Sequence, residues 1–411
     1  MQPKNLEGKK VRIKAKGCIL EGIVMPSTTG ALVLKLDNGY NVGFYDYELL
    51  DVLEDIKTSF SLPKFPKNPK LPNIKIICTG GTIASKVDYV TGAVTSQFTA
   101  EEIISEVPEL AQICNVDSKL LFNILSENMR AEYWIKIARE VYKSIKREYE
   151  GIIIAHGTDT MAYTASAISF MVSTPVPIVF VGAQRSSDRP SSDAAMNLIC
   201  AARTAISNLG EVVIVMHGST SDNFCYIHRS VKTRKNHTSR RDAFQSVNCL
   251  PLGKVYYPSG QIEWLAPDII KRGERDLKLM DKLEERVVLI KFFPGLKPDI
   301  LEFYYENNYK GFVIEGTGLG HVSTDWIETI KKISKDCIVV MTSQCLWGRV
   351  CDRVYETGRL LLKAGVIEGE DMLPEVALVK LMWLLGNFDL EEAKNLVKHN
   401  FVGEISPSTT Y

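Results

Sequence analysis

Four short apolar runs, rich in β-branched residues, punctuate the sequence between residues 74 and 216, and each gives way at once to a loop of small and hydroxyl-bearing residues. The runs are 74–78 (IKIIC), 151–155 (GIIIA), 177–181 (PIVFV) and 212–216 (VVIVM). The loops begin Thr79-Gly80-Gly81-Thr82, His156-Gly157-Thr158-Asp159-Thr160, 182–188 (GAQRSSD) and 217–222 (HGSTSD). Runs without polar alternation suit strands covered on both faces. Helical patterns separate them at 130–150, 160–172 and 192–207, the first charged, with apolar positions at Tyr133, Ile137, Val141 and Ile145. Strands alternating with helices predict a parallel sheet with right-handed crossovers. In such sheets ligands sit beyond the strands' carboxyl ends, where these loops fall.

The rest of the chain divides around this block. A second α/β block is expected over 286–411, with strands at 287–291, 311–314 and 337–341. Its helices are expected at 325–334, at 373–385 and after Leu390. The charged stretch 269–285 links it to the first block, 74–268. Residues 1–58 read as a small antiparallel β-barrel module, with strand-like runs at 10–15, 19–25 and 31–36 and a hairpin signal at Asn38-Gly39. Between module and first block lies a linker, 59–73, whose segment 61–73 (SLPKFPKNPKLPN) holds four prolines and three lysines. Proline fixes φ and removes a donor, so this segment is expected to be extended and semi-rigid.

Composition narrows the function classes. Over 411 residues, 49 Lys+Arg balance 49 Asp+Glu, which argues against a stand-alone nucleic-acid binder. The nine cysteines contain no Cys-x-x-Cys pair and no zinc-site spacing, as expected for a reduced cytosolic protein. There is no secretory leader pattern and no apolar run of about 20 residues, so a cytoplasmic location is expected.

The sequence lacks a GxxxxGK[ST] phosphate loop, a GxGxxG fingerprint, a GxSxG elbow and an HExxH motif. No metal and no cofactor is therefore expected in this chain. What it offers is threonines on tight loops with charged neighbours. A threonine hydroxyl needs a partner to take its proton, and a lysine held by a carboxylate is one such partner. Thr158-Asp159 supplies hydroxyl and carboxylate, and 232–244 (KTRKNHTSRRDAF) supplies lysines.

Taken together, TGGTIA at 79–84, HGTDTM at 156–161, VGAQR at 181–185 and SDAAMNL at 192–198 resemble the bacterial-type asparaginase/glutaminase family, over residues 73–405. The resemblance implies a two-domain α/β fold with a larger N-terminal and a smaller C-terminal parallel-sheet block. It implies Thr82 as the first catalytic threonine, Thr158 and Asp159 as the second threonine and its aspartate, and Lys235, nine residues before Phe244, as the catalytic lysine, with Lys232 the second choice. Tyr89 matches a lid tyrosine, and Ser126 and Glu127 match the pair that grips the substrate's α-carboxylate and α-amino groups. His156 reads as a packed or capping residue. One threonine would attack the side-chain amide to give an acyl-enzyme and ammonia. Thr158, Asp159 and Lys235 would relay protons, and backbone N–H groups near Gly81 or Thr158 would hold the oxyanion.

The β module, the Pro/Lys linker and the basic segment 232–244 resemble a narrower group, the D subunits of the archaeal glutamyl-tRNA(Gln) amidotransferases. That resemblance implies a glutaminase subunit working as a dimer beside an E subunit. The E subunit would bind tRNA(Gln), use ATP and magnesium, and amidate the mischarged glutamate with the ammonia. The alternatives are a free asparaginase/glutaminase with an accessory β domain, and an inactive amino-acid sensor, which the complete threonine, aspartate and lysine set argues against.

Overall fold

The computed structural model describes residues 6–27, 30–37, 40–55, 67–80, 86–87, 94–95, 103–104, 106–185 and 191–408. Asn38-Gly39, Thr82, Tyr89 and the first half of the Pro/Lys segment lie outside the described residues. Among the described residues the strands form three principal sheets.

The first is five-stranded and antiparallel, built from β1 (Lys9–Ala15), β2 (Cys18–Met25), β3 (Leu32–Leu36), β4 (Asn41–Phe44) and β5 (Glu48–Asp55), in the order β4-β3-β2-β1-β5. Alternation places Val11, Ile13, Val24, Leu32 and Leu34 on one face, each with no exposed surface. At about 1.5–3 kcal/mol for each such aliphatic side chain, that cluster is the module's own core. Irregular register between β1 and β5, at Lys10/Val11 and Arg12/Ile13, marks bulging that bends this edge of the sheet.

Behind it, residues 67–72 are tied down rather than free. The Asn115 side chain accepts from Asn68 N at 2.8 Å and donates to Asn68 O at 2.8 Å and Leu71 O at 2.9 Å.

The second sheet has eight strands: β6 (Asn73–Cys78), β7 (Asn115–Leu120), β8 (Gly151–Ala155), β9 (Ile178–Val181), β10 (Val212–His217), β11 (Phe224–Arg229), β12 (Gly253–Tyr256) and β13 (Ile262–Trp264). Its order is β13-β12-β11-β10-β9-β8-β6-β7. β7, β6, β8, β9 and β10 are mutually parallel, while β11 to β13 extend one edge antiparallel. Helices α1 (Ala131–Ile145), α2 (Met161–Met171) and α3 (Ala194–Ala205) form the crossovers. On α1 the buried stripe runs through Trp134, Ile137, Ala138, Val141 and Ile145, and Trp134 takes the place expected of Tyr133.

The third sheet is parallel, in the order β14 (Val287–Lys291), β15 (Gly311–Gly316), β16 (Ile338–Ser343), β17 (Ile367–Glu368). Helices α4 (Asp299–Glu306), α5 (Ile327–Ile333), α6 (Glu356–Lys363), α7 (Pro374–Asn387) and α8 (Leu390–Leu396) accompany it. α7 is apolar almost all round because it lies between β15 and α2. Trp383 of α7 stacks on Phe170 of α2 at 5.7 Å, and one apolar cluster runs through both blocks. The connecting stretch 269–285 follows the surface of the first block, where Lys278–Leu279 pairs antiparallel with Val172–Ser173.

Candidate active site

The carboxyl ends of β6 and β8 are stitched together before the loops begin. Thr79 donates both its backbone N–H, at 3.0 Å, and its hydroxyl, at 2.9 Å, to Ala155 O. Its hydroxyl is thereby committed to the scaffold. Gly80 follows with φ +108°, and a Cβ there would lie 2.2 Å from Ile124 O, so only glycine fits.

The loop after β8 carries the expected chemistry. Gly157 lets it lie directly on Ser126, whose Cβ would stand 2.7 Å from a methyl group at that glycine. The Thr160 hydroxyl donates to Ser126 O at 2.7 Å. Ser126 is buried and Glu127 is exposed in the single turn Ser126–Asn128. His156 has no exposed surface, and its Nδ1 donates to Gly157 O at 2.7 Å. Burial pulls its pKa down to about 4, so it stays neutral as a packed residue.

Lys235 reaches this loop from elsewhere in the chain. It ends a two-stranded ribbon in which Thr233–Lys235 pairs with Phe244–Ser246, and Lys235 sits directly opposite buried Phe244. The nine-residue spacing is thus a register across a hairpin. Lys235 Nζ lies 2.9 Å from Thr158 Oγ1 and 2.7 Å from Asp159 Oδ1. The lysine side chain is 12% exposed and the aspartate 68%, so the carboxylate faces the solvent side of the pair. This arrangement can hold an amine against a threonine hydroxyl and move a proton at Thr158 Oγ1.

Lys232 does something different. It is buried, and its Nζ meets buried Asp371 Oδ2 of the C-terminal block at 2.6 Å. Asn248, just past the other ribbon strand, exchanges two hydrogen bonds of 2.9 Å with the Gly348 backbone. The ribbon is therefore braced from the second block on both flanks. The remaining basic residues of the segment are ion-paired rather than presented as a free patch. Arg234 lies 3.5 Å from Glu375, Arg240 lies 2.6 Å from Asp242, and Arg241 lies 2.6 Å from Asp222.

Asp193 and Asn197, within the quoted SDAAMNL motif but without an assigned role, hold the loop after β9. The Asp193 carboxylate accepts from Gln184 N at 3.0 Å and Arg185 N at 2.9 Å, and Asn197 Nδ2 donates to Gly182 O at 3.0 Å. A methyl group at Gly182 would lie 2.9 Å from Thr158 Cγ2 and 2.8 Å from His156 O, so this loop sets the wall behind Thr158. The signal was a carboxylate and an amide four residues apart at a helix N-terminus, which places both on one face. Among the described residues no group of three or more His, Cys, Asp or Glu is placed to hold a metal ion.

The chain is similar to known proteins along most of its length. The family model "Asparaginase, N-terminal" matches residues 73–269, "Glutaminase/Asparaginase C-terminal domain" matches 286–396, and "GatD N-terminal domain" matches 6–49. The chain is 70% identical over 406 residues to the D subunit of the glutamyl-tRNA(Gln) amidotransferase of Archaeoglobus fulgidus, covering 99% of this chain and 97% of that one. It is 52% identical over 421 residues to the corresponding D subunit of Methanosarcina acetivorans, covering 98% and 99%. Among solved structures, the thermostable L-asparaginase of Thermococcus kodakarensis superposes with a TM-score of 0.73 at 32% identity, covering 82% of this chain and 100% of that one. L-asparaginase I of Vibrio cholerae gives 0.70 at 28% identity, covering 82% and 99%.

Proposed function

Since this chain belongs to the family of glutamyl-tRNA(Gln) amidotransferase D subunits, we propose that it is the glutaminase component of a carbon–nitrogen ligase with glutamine as amide donor. The observation that carries the reading is the contact of Lys235 Nζ with both Thr158 Oγ1 and Asp159 Oδ1. A threonine oxygen, of Thr82 or Thr158, bonds to the side-chain amide carbon of glutamine. The hydroxyl proton passes through the Thr158–Asp159–Lys235 group to the amide nitrogen, the carbon–nitrogen bond breaks and ammonia leaves. Water, stripped of a proton by the same group, attacks the acyl carbon and releases glutamate. Ser126 and Glu127 are the residues for the amino-acid end of the substrate, and Tyr89, outside the described residues, is the family's lid tyrosine by resemblance.

The ammonia is consumed by a partner E subunit that holds tRNA(Gln) and uses ATP and magnesium to convert Glu-tRNA(Gln) to Gln-tRNA(Gln). This chain acts as a homodimer in the cytoplasm, where aminoacylated tRNA is made and used. Full-length relatives that include the β module favour this reading over a free asparaginase. The test is ammonia release from glutamine and from asparagine, with and without the partner and charged tRNA. Glutamine turnover that depends on both is expected. Fast, partner-independent turnover of asparagine would overturn the reading.

A further inference from the structure

One buried histidine joins the loop behind Thr158 to the hairpin that carries Lys235. His217, at the end of β10, has no exposed surface. Its Nδ1 lies 2.5 Å from Asn197 Oδ1 and its Nε2 lies 3.0 Å from Asp222 Oδ1. The Asn197 amide nitrogen is committed as donor to Gly182 O and, at 2.9 Å, to Asp193 Oδ2, so its oxygen is the end that accepts. Turning the amide over would set its oxygen against a carbonyl and a carboxylate. The other neighbour, Asp222, is a carboxylate that also takes Arg241 Nη1 at 2.6 Å. Both ring nitrogens of His217 therefore face acceptors, and a neutral imidazole has a single N–H.

We propose that His217 is a doubly protonated positioning residue that locks the 182–185 loop to the Lys235 hairpin and so fixes Thr158 against Lys235. The link runs from Gly182, which abuts Thr158, through Asn197, His217 and Asp222 to Arg241, in the turn of the hairpin. Arg241 also donates to Thr220 O, which fastens that turn to the loop after β10.

The charges around the ring fit. Asp193 stands behind Asn197, Asp222 in front and Arg241 beyond it, so the imidazolium is buried in a neutral set of four rather than alone. Cys225 also touches Asn197 Oδ1, at 3.4 Å, and burial pushes its thiol far up, which leaves it neutral. The Asp222 carboxyl is held below its ordinary range, first by the hydrogen bond from His217. Two other buried histidines offer the contrast. His156 and His228 each have one partnered and one unpartnered ring nitrogen, and burial drives them down to about 4 and about 3.

The effect on turnover rests on the glutaminase reading; the state of the ring does not. Nitrogen-15 NMR of histidine rings in the full chain tests the latter directly, since there are six histidines and His217→Gln identifies the signal. Two protonated ring nitrogens at neutral pH are expected, and a single neutral tautomer would overturn the proposal. In the holoenzyme, Asp222→Asn is expected to lower kcat for glutamine about tenfold with KM changed less than about twofold, and Asp222→Glu to recover most of that loss. Wild-type kcat in Asp222→Asn, or a Glu variant as slow as the Asn variant, would also overturn it. A wild-type holoenzyme with no glutaminase activity would instead sink the functional reading and leave the ring state standing.

Discussion

Replacing Asp352 by asparagine is expected to be more favourable to stability at alkaline pH than at acid pH. Asp352 has no exposed surface, and neither carboxylate oxygen has a hydrogen-bond partner. Burial, aided by the neighbouring Glu368 carboxylate, pushes its pKa up from 3.8 to about 7. A carboxyl raised on folding is more easily protonated in the folded chain than in the unfolded one. Its penalty is absent below about pH 4, grows from there to about pH 7, and is constant above. At ~1.36 kcal/mol per unit, the roughly three units set a ceiling of ~4 kcal/mol, and partial relaxation makes ~2–3 kcal/mol the realistic size. An asparagine leaves its own amide unpartnered, a cost of about 1–3 kcal/mol that does not vary with pH. The informative quantity is therefore the difference between the variant's effect at pH 8 and at pH 4.5. With about 2.1 cal/mol/K per residue, ~2 kcal/mol over the 411-residue chain is roughly 2–3 °C of melting temperature, if it unfolds as one unit. Melting followed by circular dichroism or calorimetry at both pH values suffices. An effect independent of pH, or larger at pH 4.5, would refute the reasoning.

Other outcomes follow from the site and its braces. Thr82→Ala and Lys235→Ala should each abolish ammonia release from glutamine while the holoenzyme still amidates Glu-tRNA(Gln) when ammonium is supplied, measured by product tRNA analysis. Lys232→Met removes the nearest counter-ion of buried Asp371, leaving it Ser406 N at 2.9 Å and Arg349 at 3.7 Å, and should cost about 3 kcal/mol in denaturant unfolding; an unchanged midpoint would count against the brace. Gly182→Ala thrusts a methyl to 2.8 Å from the His156 carbonyl and 2.9 Å from Thr158 Cγ2, so the wall must shift; kcat should fall about tenfold and stability by about 1–3 kcal/mol, read by turnover and by denaturant unfolding.

The readable parts of this fold are those where local chemistry and final burial agree. The runs IKIIC, GIIIA, PIVFV and VVIVM are strands at or within a residue of the expected places because both their faces are covered. β7 (NVDSKL) and β11 (FCYIHR) escape the pattern because edge and half-covered strands carry polar residues that break an apolar run. α1 stops at Ile145, well before 150, because residues 146–148 form a turn that returns the chain to β8, with Glu148 at φ +63°. In the site, the strand-end loop alone offers Thr158 and Asp159 only as a hydroxyl beside a carboxylate, and their roles come from the resemblance. The resemblance prefers Lys235 to Lys232, and the fold supplies the physical difference, since three residues along the chain separate a lysine that meets Thr158 from one sunk into the other block. The basic appearance of 232–244 dissolves in the fold as well, because its arginines find carboxylates that are distant in sequence or on the same turn.

The brace beneath the ribbon also sets an order of assembly. Lys232 waits for Asp371, a partner 139 residues downstream, and Asp371 in turn accepts from Ser406 N at 2.9 Å, another 35 residues on. A nascent chain that has delivered every candidate catalytic residue from Thr82 to Lys235 still lacks the counter-ion that seats the lysine hairpin. A chain truncated before Asp371 is therefore expected to carry the candidate catalytic residues and release no ammonia, because the lysine hairpin is left unseated.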